Sequence, residues 1–261
     1  MRALVINTAA ATDRMALMAR QLGAIGLDWD RLDAVTPDTL SPGPDDPFWQ
    51  RWQRPMRVTE MALTASHMAA WRRVIEARAP ILILEDDALL SPSVPQFLAG
   101  VTGRGGMDHL SLETRGRKKL LARAAGPVWR MWQDRTGSAA YVAWPEGAQD
   151  MLARAEIAAA PSDALISETR AQRSFQAVPA LSVQFDMCEA YGIAPPIRTP
   201  SLIDVVEKPP VPRGAGFRRR RILGQVEMGL RALSHPMAQH VHVQPAKDLV
   251  EAALALTSKT D

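Results

Sequence analysis

The stretch ILILEDDALL, residues 81–90, places three consecutive carboxylates directly after a run of four aliphatic residues. A short, continuous apolar run of this kind, bounded by prolines, predicts a strand that is buried on both faces of a mostly parallel sheet. In open α/β sheets, ligands bind beyond the carboxyl ends of the strands, and adjacent carboxylates tolerate one another best beside a cation. We therefore expect Glu85, Asp86 and Asp87 to belong to a metal-assisted site for an anionic substrate.

Strand geometry suggests how the three acids divide. Side chains alternate faces along a strand, so Glu85 and Asp87 share one side and Asp86 points to the other for as long as the strand continues. Two oxygen ligands on one side suit Mg²⁺ or Mn²⁺ that is held partly by the phosphates of a substrate. From spacing alone, an equal alternative is a strand that ends in solvated acids paired with arginines.

Composition limits the class of protein. The chain has 261 residues, of which 47% are hydrophobic and 23% charged, values typical of one globular domain with or without an appendage. A single cysteine, Cys188, excludes an internal disulfide and a thiolate zinc cluster and suits a reducing cytosol. The start of the chain does not resemble a signal peptide, and no stretch approaches the roughly 20 apolar residues of a membrane span. We expect a cytoplasmic protein.

The order of predicted elements favours a mixed α/β fold. Strands alternate with helices in the first half, whereas the second half has strands that look antiparallel, so we predict a mostly parallel, mixed sheet flanked by helices. The predicted strands cover residues 2–6, 29–35, 81–85, 107–113, 128–132 and 138–144, and the predicted helices cover 12–25, 59–79 and 91–100 and begin again at 145 and 217. We predict helix or loop for the basic stretch 115–126 and irregular chain for 178–212.

Four polar side chains outside the acid run have the chemistry of a binding site. Glu60 and His67 lie two helical turns apart on one face of a predicted helix. Asn7 and Arg14 flank the turn after the first strand, where an amide can bond a base or sugar and a guanidinium can pair with a phosphate. Taken singly, each has a simpler interpretation as a helix-dipole glutamate, a partly exposed histidine, a turn asparagine or a surface arginine.

Together, these clusters resemble glycosyltransferase family 25, which includes lipooligosaccharide-type glycosyltransferases and collagen galactosyltransferases. Seven segments carry the resemblance in order: VINTAAATDR (5–14), DAV (33–35), EMALTASHMAAW (60–71), LEDDALL (84–90), SAAYVAWPEGAQDML (138–152), PSDALI (161–166) and PALSVQ (179–184). The chain departs from the family pattern at Ala62-Leu63, where Gly-Cys is usual, at Thr8, where Leu is usual, and at Thr36-Pro37, where Gly is usual.

The resemblance implies a metal-dependent, inverting hexosyltransferase with a GT-A-like nucleotide-sugar-binding fold. It implies a UDP-sugar donor, galactose or a related hexose, and a cell-surface glycan or glycolipid acceptor. Mn²⁺ or Mg²⁺ would be held by Asp87 together with Glu85, or with Asp86 in its place. The donor would be bound by Asn7, Arg14, Glu60, Ser66, His67 and Asp86.

An inverting transfer also needs a carboxylate that takes the proton of the acceptor hydroxyl. Asp163 in the Pro-x-Asp segment is the first candidate for this base, and Glu113 at the end of a predicted strand is the second. For Asp163, the role of an ordinary residue in the first turn of a helix has about the same weight.

On this interpretation, residues 1–212 form the catalytic domain and residues 213–261 form a basic helical extension packed on it. Two other functions remain open. The departures from the family pattern are compatible with a non-catalytic binding module that keeps the fold. A phosphohydrolase that uses the same acids is a weaker alternative, since the chain has no glycine-rich phosphate loop.

The basic charge of the chain is concentrated in one segment. Residues 208–231 contain seven bases and one acid, a net +6, which leaves −3 for the rest of a chain whose total is +3. Arg218, Arg219, Arg220 and Arg221 precede apolar residues at helical spacing, a pattern typical of contact with an anionic membrane surface, such as the inner face of the cytoplasmic membrane. An ordinary packing helix has equal weight, a phosphate-bearing sugar acceptor is a further possibility, and nucleic acid ranks last. We interpret His235, His240 and His242 as polar loop residues.

Overall fold

The computed structural model describes residues 1–134, 137–167, 172–198 and 215–257. The predicted boundary between residues 212 and 213 falls outside these ranges, as do two of the bases in the basic segment, Lys208 and Arg213.

Eleven strands and seven α-helices make up the described part of the chain. The strands are β1 (Arg2–Asn7), β2 (Trp29–Asp33), β3 (Ile81–Glu85), β4 (Ala88–Leu90), β5 (His109–Ser111), β6 (Lys118–Ala122), β7 (Val128–Gln133), β8 (Ala140–Ala143), β9 (Ser174–Ala177), β10 (Ser182–Gln184) and β11 (Gln239–His242). The helices are α1 (Thr12–Ala24), α2 (Val58–Ala77), α3 (Val94–Thr102), α4 (Pro145–Ala158), α5 (Ser162–Ser167), α6 (Ala215–Ser234) and α7 (Leu249–Thr257).

Nine strands form one sheet in the order β11-β6-β7-β9-β5-β8-β3-β1-β2. The prediction of a mixed α/β fold flanked by helices is confirmed, but the prediction of a mostly parallel sheet is wrong. Among the described strands of this sheet, β1 is parallel to β2 and β3, and β5 is parallel to β9, whereas the other five pairs are antiparallel. One physical reason is the short link between β6 and β7, because a connection of a few residues can join only antiparallel neighbours.

The acid-tipped strand β3 lies deep in this sheet, between β1 and β8. Leu82 and Leu84 pack into an apolar cluster that includes residues of α1 and α3. Ile83, on the opposite face, packs with Trp71 of α2 and Met151 of α4. The prediction of a strand buried on both faces is therefore confirmed.

The sequence patterns failed where polar side chains are buried. The basic stretch 115–126 contains a strand, β6, and the amine of Lys119 on that strand is buried against Asp134 at 2.6 Å and the side-chain oxygen of Gln176 at 2.6 Å. The amine of Lys119 is therefore paired with other polar groups inside the protein. The prediction of helix or loop for this basic stretch did not anticipate a buried lysine.

Two further predictions of irregular chain are wrong in part. The segment 178–212 contains β10 and two short 3₁₀ helices within its described residues. His240 and His242 lie on β11, which pairs with β6, so they are strand residues and not loop residues. His235 lies between α6 and β11, as predicted for a loop residue, and its ring stacks on that of Trp132 with ring centroids 3.5 Å apart.

Membrane-spanning helices are absent from the described ranges, where no helix combines the required length with sufficient apolar character.

Candidate functional site

A cavity of about 280 Å³ opens beside the turn that follows β3, and we call it the central cavity. Six of the ten predicted site residues line it, although they come from four separate parts of the chain: Arg14, Glu60, Glu85, Asp86, Asp87 and Asp163. The other four, Asn7, Ser66, His67 and Glu113, do not line it.

The three acids lie on a strand end and a turn, because β3 stops at Glu85 and a new strand, β4, begins at Ala88. Strict alternation therefore does not apply, and all three acids reach the cavity wall. Asp86 is nonetheless turned aside, since its Oδ2 accepts a 2.6 Å hydrogen bond from Asn7 and lies 3.3 Å from the guanidinium of Arg14. Burial raises the pKa of Asp86, and the charge of Arg14 and the bond from Asn7 offset part of that rise.

Glu85 is held by two hydrogen-bond partners on one oxygen. Its Oε1 accepts a 2.6 Å bond from the hydroxyl of Ser138 and lies 3.3 Å from Nε2 of His67. Burial by itself would raise the pKa of Glu85, but the interactions with His67 and Ser138 outweigh burial and lower it. The carboxylate therefore stays ionised near neutral pH.

His67 supports Glu85 from behind the cavity wall. Its side chain is fully buried, and its Nδ1 lies 2.9 Å from the hydroxyl of Tyr141, which accepts a 2.8 Å bond from the indole of Trp71. Because an indole can only donate, the Tyr141 oxygen is the acceptor in the bond with Trp71. Nε2 of His67 faces the ionised carboxylate of Glu85 and donates a hydrogen bond to it.

Asp87 has a weaker protein partner. The side-chain amide nitrogen of Gln184 lies 3.3 Å from each of its two carboxylate oxygens. Burial, followed by the charges of Glu85 and Asp86, raises the pKa of Asp87 to about 7. A cation in the cavity would relieve this repulsion.

The donor set fits a divalent cation that is shared with a substrate. Within the described ranges, no group of three or more His, Cys, Asp or Glu side chains is arranged to hold a metal ion. Asp86 faces Asn7 and Arg14, so Glu85 and Asp87 are the two acids of the run left for a cation. Mg²⁺ is commonly bound by one or two carboxylates together with water and substrate phosphates, and this pair suits that arrangement better than a permanent all-protein centre.

Asp163 lies near the start of the short helix α5 and lines the same cavity as the acid turn. One of its oxygens accepts a 2.8 Å bond from the backbone nitrogen of Ala164. Burial raises the pKa of Asp163 to about 6, with further contributions from the charges of Asp134 and Glu60. Asp163 is thus a carboxylate that ionises just below neutral pH.

Glu60 is engaged at the start of α2. Its two oxygens lie 2.6 and 2.8 Å from the guanidinium of Arg54, and it also accepts a 2.8 Å bond from the backbone nitrogen of Arg57. Burial opposes ionisation of Glu60, but these bonds together lower its pKa. Glu60 therefore caps the helix and holds Arg54 beside the cavity.

Glu113 is buried next to Gly137, which lines the central cavity. Its Oε2 accepts bonds of 2.6 and 3.2 Å from the backbone nitrogens of Ala139 and Ala140, whereas its buried Oε1 has no hydrogen-bond partner among the residues that the structure describes. Burial raises the pKa of Glu113 to about 8, so the neutral acid predominates at pH 7. This geometry supports the backbone that carries Ser138 more directly than it supports contact with a substrate.

Ser66 also has a local partner. Its buried hydroxyl accepts a 2.9 Å bond from the backbone nitrogen of Val35 and donates a 2.9 Å bond to the carbonyl of Ala62. The side chain therefore fixes the chain that leaves β2 against α2, and contact with a donor stays a prediction.

Sequence reasoning missed several residues that line the cavity. Arg115 reaches it from the basic stretch and forms a 2.6 Å ion pair with Asp186, which also lines it. Ser138 and Gln184 lie within two of the segments that carry the family resemblance, and their polarity at strand ends was the available signal. Nothing local in the sequence identified Arg115, because its approach to the acids depends on the order of strands in the sheet.

A comparison with protein-family models found a match, which covers the amino-terminal part of the chain. The model of glycosyltransferase family 25, described as LPS biosynthesis protein, matches residues 1–105. The predicted resemblance is confirmed over this range, which contains eight of the ten predicted site residues and ends before Glu113 and Asp163. No curated protein matches the chain.

Proposed function

We propose, on the premise that residues 1–105 match glycosyltransferase family 25, that this chain transfers a hexose from a nucleotide-diphosphate sugar to a cell-surface glycan or glycolipid. The donor is a UDP-sugar, and the hexose is galactose or a related sugar. One observation carries the proposal. The acid turn inside the matched range and Asp163 outside it line the same cavity.

Two arginines in the cavity lining suit the diphosphate of the donor. Arg14 and Arg115 both line the cavity, and guanidinium groups bind phosphate oxygens through paired hydrogen bonds. Glu85 and Asp87 would hold Mn²⁺ or Mg²⁺, which when bound would stabilise the charge that develops on the departing diphosphate. The bonds from Ser138 and His67 hold Glu85 ionised for that role.

Asp163 is the proposed general base. Its pKa of about 6 leaves it mostly ionised at pH 7, yet close enough to neutrality to accept a proton. The acceptor oxygen attacks the anomeric carbon, its proton passes to Asp163, and the bond from the anomeric carbon to the diphosphate oxygen breaks. Attack from the face opposite the leaving diphosphate inverts the anomeric configuration. Glu113 is the second candidate, and its burial and largely neutral state favour a positioning role.

Several broader features belong to the same proposal. They are the GT-A-like assignment of the fold, a catalytic domain over residues 1–212 with a basic extension over 213–261, and a location in the cytoplasm at the inner face of the membrane. The mixed sheet with the site at the end of β3 supports the fold assignment. β11 in the carboxyl-terminal part pairs with β6, so the extension contributes a strand to the main sheet.

The direct test is release of UDP, GDP or CMP from the corresponding nucleotide sugars in the presence of Mn²⁺, with and without glycolipid or sugar acceptors. We expect turnover with UDP-hexose that increases when an acceptor is added. Binding of a nucleotide sugar without turnover would instead support the non-catalytic binding module. Release of phosphate from simple esters, without use of any nucleotide sugar, would support a phosphohydrolase.

A further inference from the structure

Helix α6 presents its apolar residues to solvent. Ile222, Val226, Leu230 and Leu233 recur at helical spacing, and between 50% and 79% of the surface of each is exposed. Leu223 and Met237 extend this exposed surface at its edge and just beyond the helix end. We call Ile222, Val226, Leu230 and Leu233 the apolar stripe.

Polar groups and a glycine attach the helix to the rest of the protein. Arg220 donates bonds of 2.8 and 3.0 Å to the backbone oxygens of Trp52 and Gln50. Gly224 lies so close to Gln53 that a Cβ there would overlap the side-chain amide. Near the end of the helix, the side chain of Arg231 is 9% exposed and lies beside β7.

The contacting side and the apolar stripe face opposite directions. At about 100° per residue, positions 220, 224 and 231 lie on one side of the helix, and the centre of the stripe lies roughly opposite them. A surface helix normally turns its apolar side to the core and its polar side to water. The reversed orientation of α6 leaves an apolar face that a partner can cover.

Charge identifies the partner as an anionic surface. Arg218, Arg219 and Arg221 are exposed at the start of the stripe, whereas Arg220 is used to hold the helix. Glu227, which lies 3.5 Å from Arg231, is the only acid in the sequence of the helix. Exposed arginines beside an apolar helical face are the features with which interfacial helices bind anionic bilayers.

The position of α6 relates this surface to the central cavity. Asp163 lines the central cavity, and the next residue, Ala164, lines a second cavity together with Gly224 and Met228 of α6. The proposed base and the reversed helix are therefore close neighbours. An acceptor whose lipid portion remained in a bilayer would extend its sugar from the surface that α6 contacts.

We propose that α6 docks this protein on an anionic lipid bilayer, with the apolar stripe inserted between headgroups and Arg218, Arg219 and Arg221 on lipid phosphates. The bilayer contact itself does not depend on sugar transfer. It can therefore be tested without donor or acceptor.

The test is cosedimentation of the full chain with two kinds of vesicle, phosphatidylcholine alone and phosphatidylcholine with about a third phosphatidylglycerol. One variant combines Leu230→Ser with Leu233→Ser, and another combines Arg218→Gln, Arg219→Gln and Arg221→Gln. The matched controls are Ile157→Ser, which alters an exposed apolar residue of α4, and Arg72→Gln with Arg73→Gln and Arg104→Gln, which removes the same charge from exposed positions elsewhere. Thermal unfolding of each variant verifies that the fold is kept.

We expect binding to the anionic vesicles only, weakened by salt. The arginine variant should lose roughly 100-fold in affinity and the stripe variant at least about tenfold, with both controls unchanged. Equal binding to neutral vesicles, or no vesicle binding by the wild type, would overturn the proposal. Two other results would also overturn the proposal, in a protein that does not bind vesicles, because they would assign the surface to another partner. One is self-association that the stripe variant abolishes. The other is RNA binding that the arginine variant abolishes.

Discussion

Ser138 donates a 2.6 Å hydrogen bond to Oε1 of Glu85, and this bond joins the start of one segment of the family resemblance to the acid at the end of β3. The hydroxyl of Ser162 donates a 3.2 Å hydrogen bond to the hydroxyl of Ser138. The hydrogen bonds therefore continue from Glu85 to the helix that carries Asp163. The hydroxyl of Ser138 therefore stabilises the ionised form of a proposed metal ligand.

Ser138→Ala removes this bond and leaves His67 as the neighbour on Oε1 of Glu85. A hydrogen bond to a charged group contributes about 1.5–3 kcal/mol, so we expect metal-dependent binding of a nucleotide sugar to weaken by about tenfold or more. Isothermal titration with UDP-hexose and Mn²⁺ measures the change. Ser234→Ala, which alters an exposed hydroxyl bonded to its own helix, is the matched control and should bind normally. Unchanged affinity in Ser138→Ala would contradict this role.

Gly137 has φ +111°, and a Cβ on it would lie 2.8 Å from the carboxyl group of Glu113. Gly137→Ala should therefore destabilise the protein by about 1–3 kcal/mol, since backbone strain and a clash with a buried side chain combine. The free energy of unfolding in urea is the measurement. Gly103→Ala is the control, because Gly103 has φ −82° and open space around it, and it should change stability by less than about 0.5 kcal/mol. Equal effects of the two substitutions would show that the wall around Glu113 is not tightly packed.

The buried ion pair between Arg14 and Asp86 should contribute more to stability than an exposed ion pair does. Both side chains are at most 10% exposed, so Arg14→Met should cost about 3 kcal/mol because it leaves a buried charge without its cation. Adding Asp86→Asn should recover much of that loss. The exposed pair Arg2–Asp30 is the control, and Arg2→Met should change unfolding in urea by less than about 1 kcal/mol. Additive losses in the double variant would argue against direct coupling of the pair.

Asp163→Asn should abolish most transfer while donor binding is kept, because a general base contributes about 10²- to 10⁴-fold in rate. In the wild type, burial raises the pKa of Asp163 to about 6, and the reaction needs the ionised form. The rate should therefore rise with pH up to about 6 and level off above it.

Asp150→Asn, at an exposed position of α4, is the control for that substitution and should retain full activity. Glu113→Gln separates the two candidate bases. A larger loss of rate in Glu113→Gln than in Asp163→Asn, in a protein that still binds donor and unfolds normally, would transfer the role of base to Glu113.

Periodicity predicted the elements whose burial follows from their own sequence. The strands at 2–6 and 81–85 and the helix that begins at 59 show clear apolar patterns, and the structure has β1, β3 and α2 there. β6 was missed because buried Lys119 makes its sequence look solvent-facing, and β11 was missed because two histidines on one strand read as polar loop. Strand order was also beyond local reasoning, since β8 enters antiparallel between β3 and β5 through contacts distant in sequence.

The residues of the site also divide into those that the local sequence predicted and those that depend on contacts between distant segments. Three acids at the end of an apolar run are a local signal, and the placement of Glu85, Asp86 and Asp87 around the cavity followed from it. Arg115 and Gln184 reach the acids only through pairing between separate segments. His67 was identified by residue type, but the structure places it behind Glu85, where it is bonded to Tyr141.

The central claim is that Glu85 and Asp87 hold a diphosphate through a divalent cation. Thermal unfolding of the wild type and Asp87→Ala, with UDP, GDP and CMP sugars and with or without Mn²⁺, tests it most directly. We predict that UDP-sugars with Mn²⁺ raise the unfolding temperature of the wild type by several degrees, about the shift expected from ligand at 100 times its Kd. The rise should vanish without the metal and in Asp87→Ala. Two results would contradict the account. One is stabilisation by a nucleotide sugar that needs no metal and persists in Asp87→Ala. The other is no rise in unfolding temperature with any nucleotide sugar.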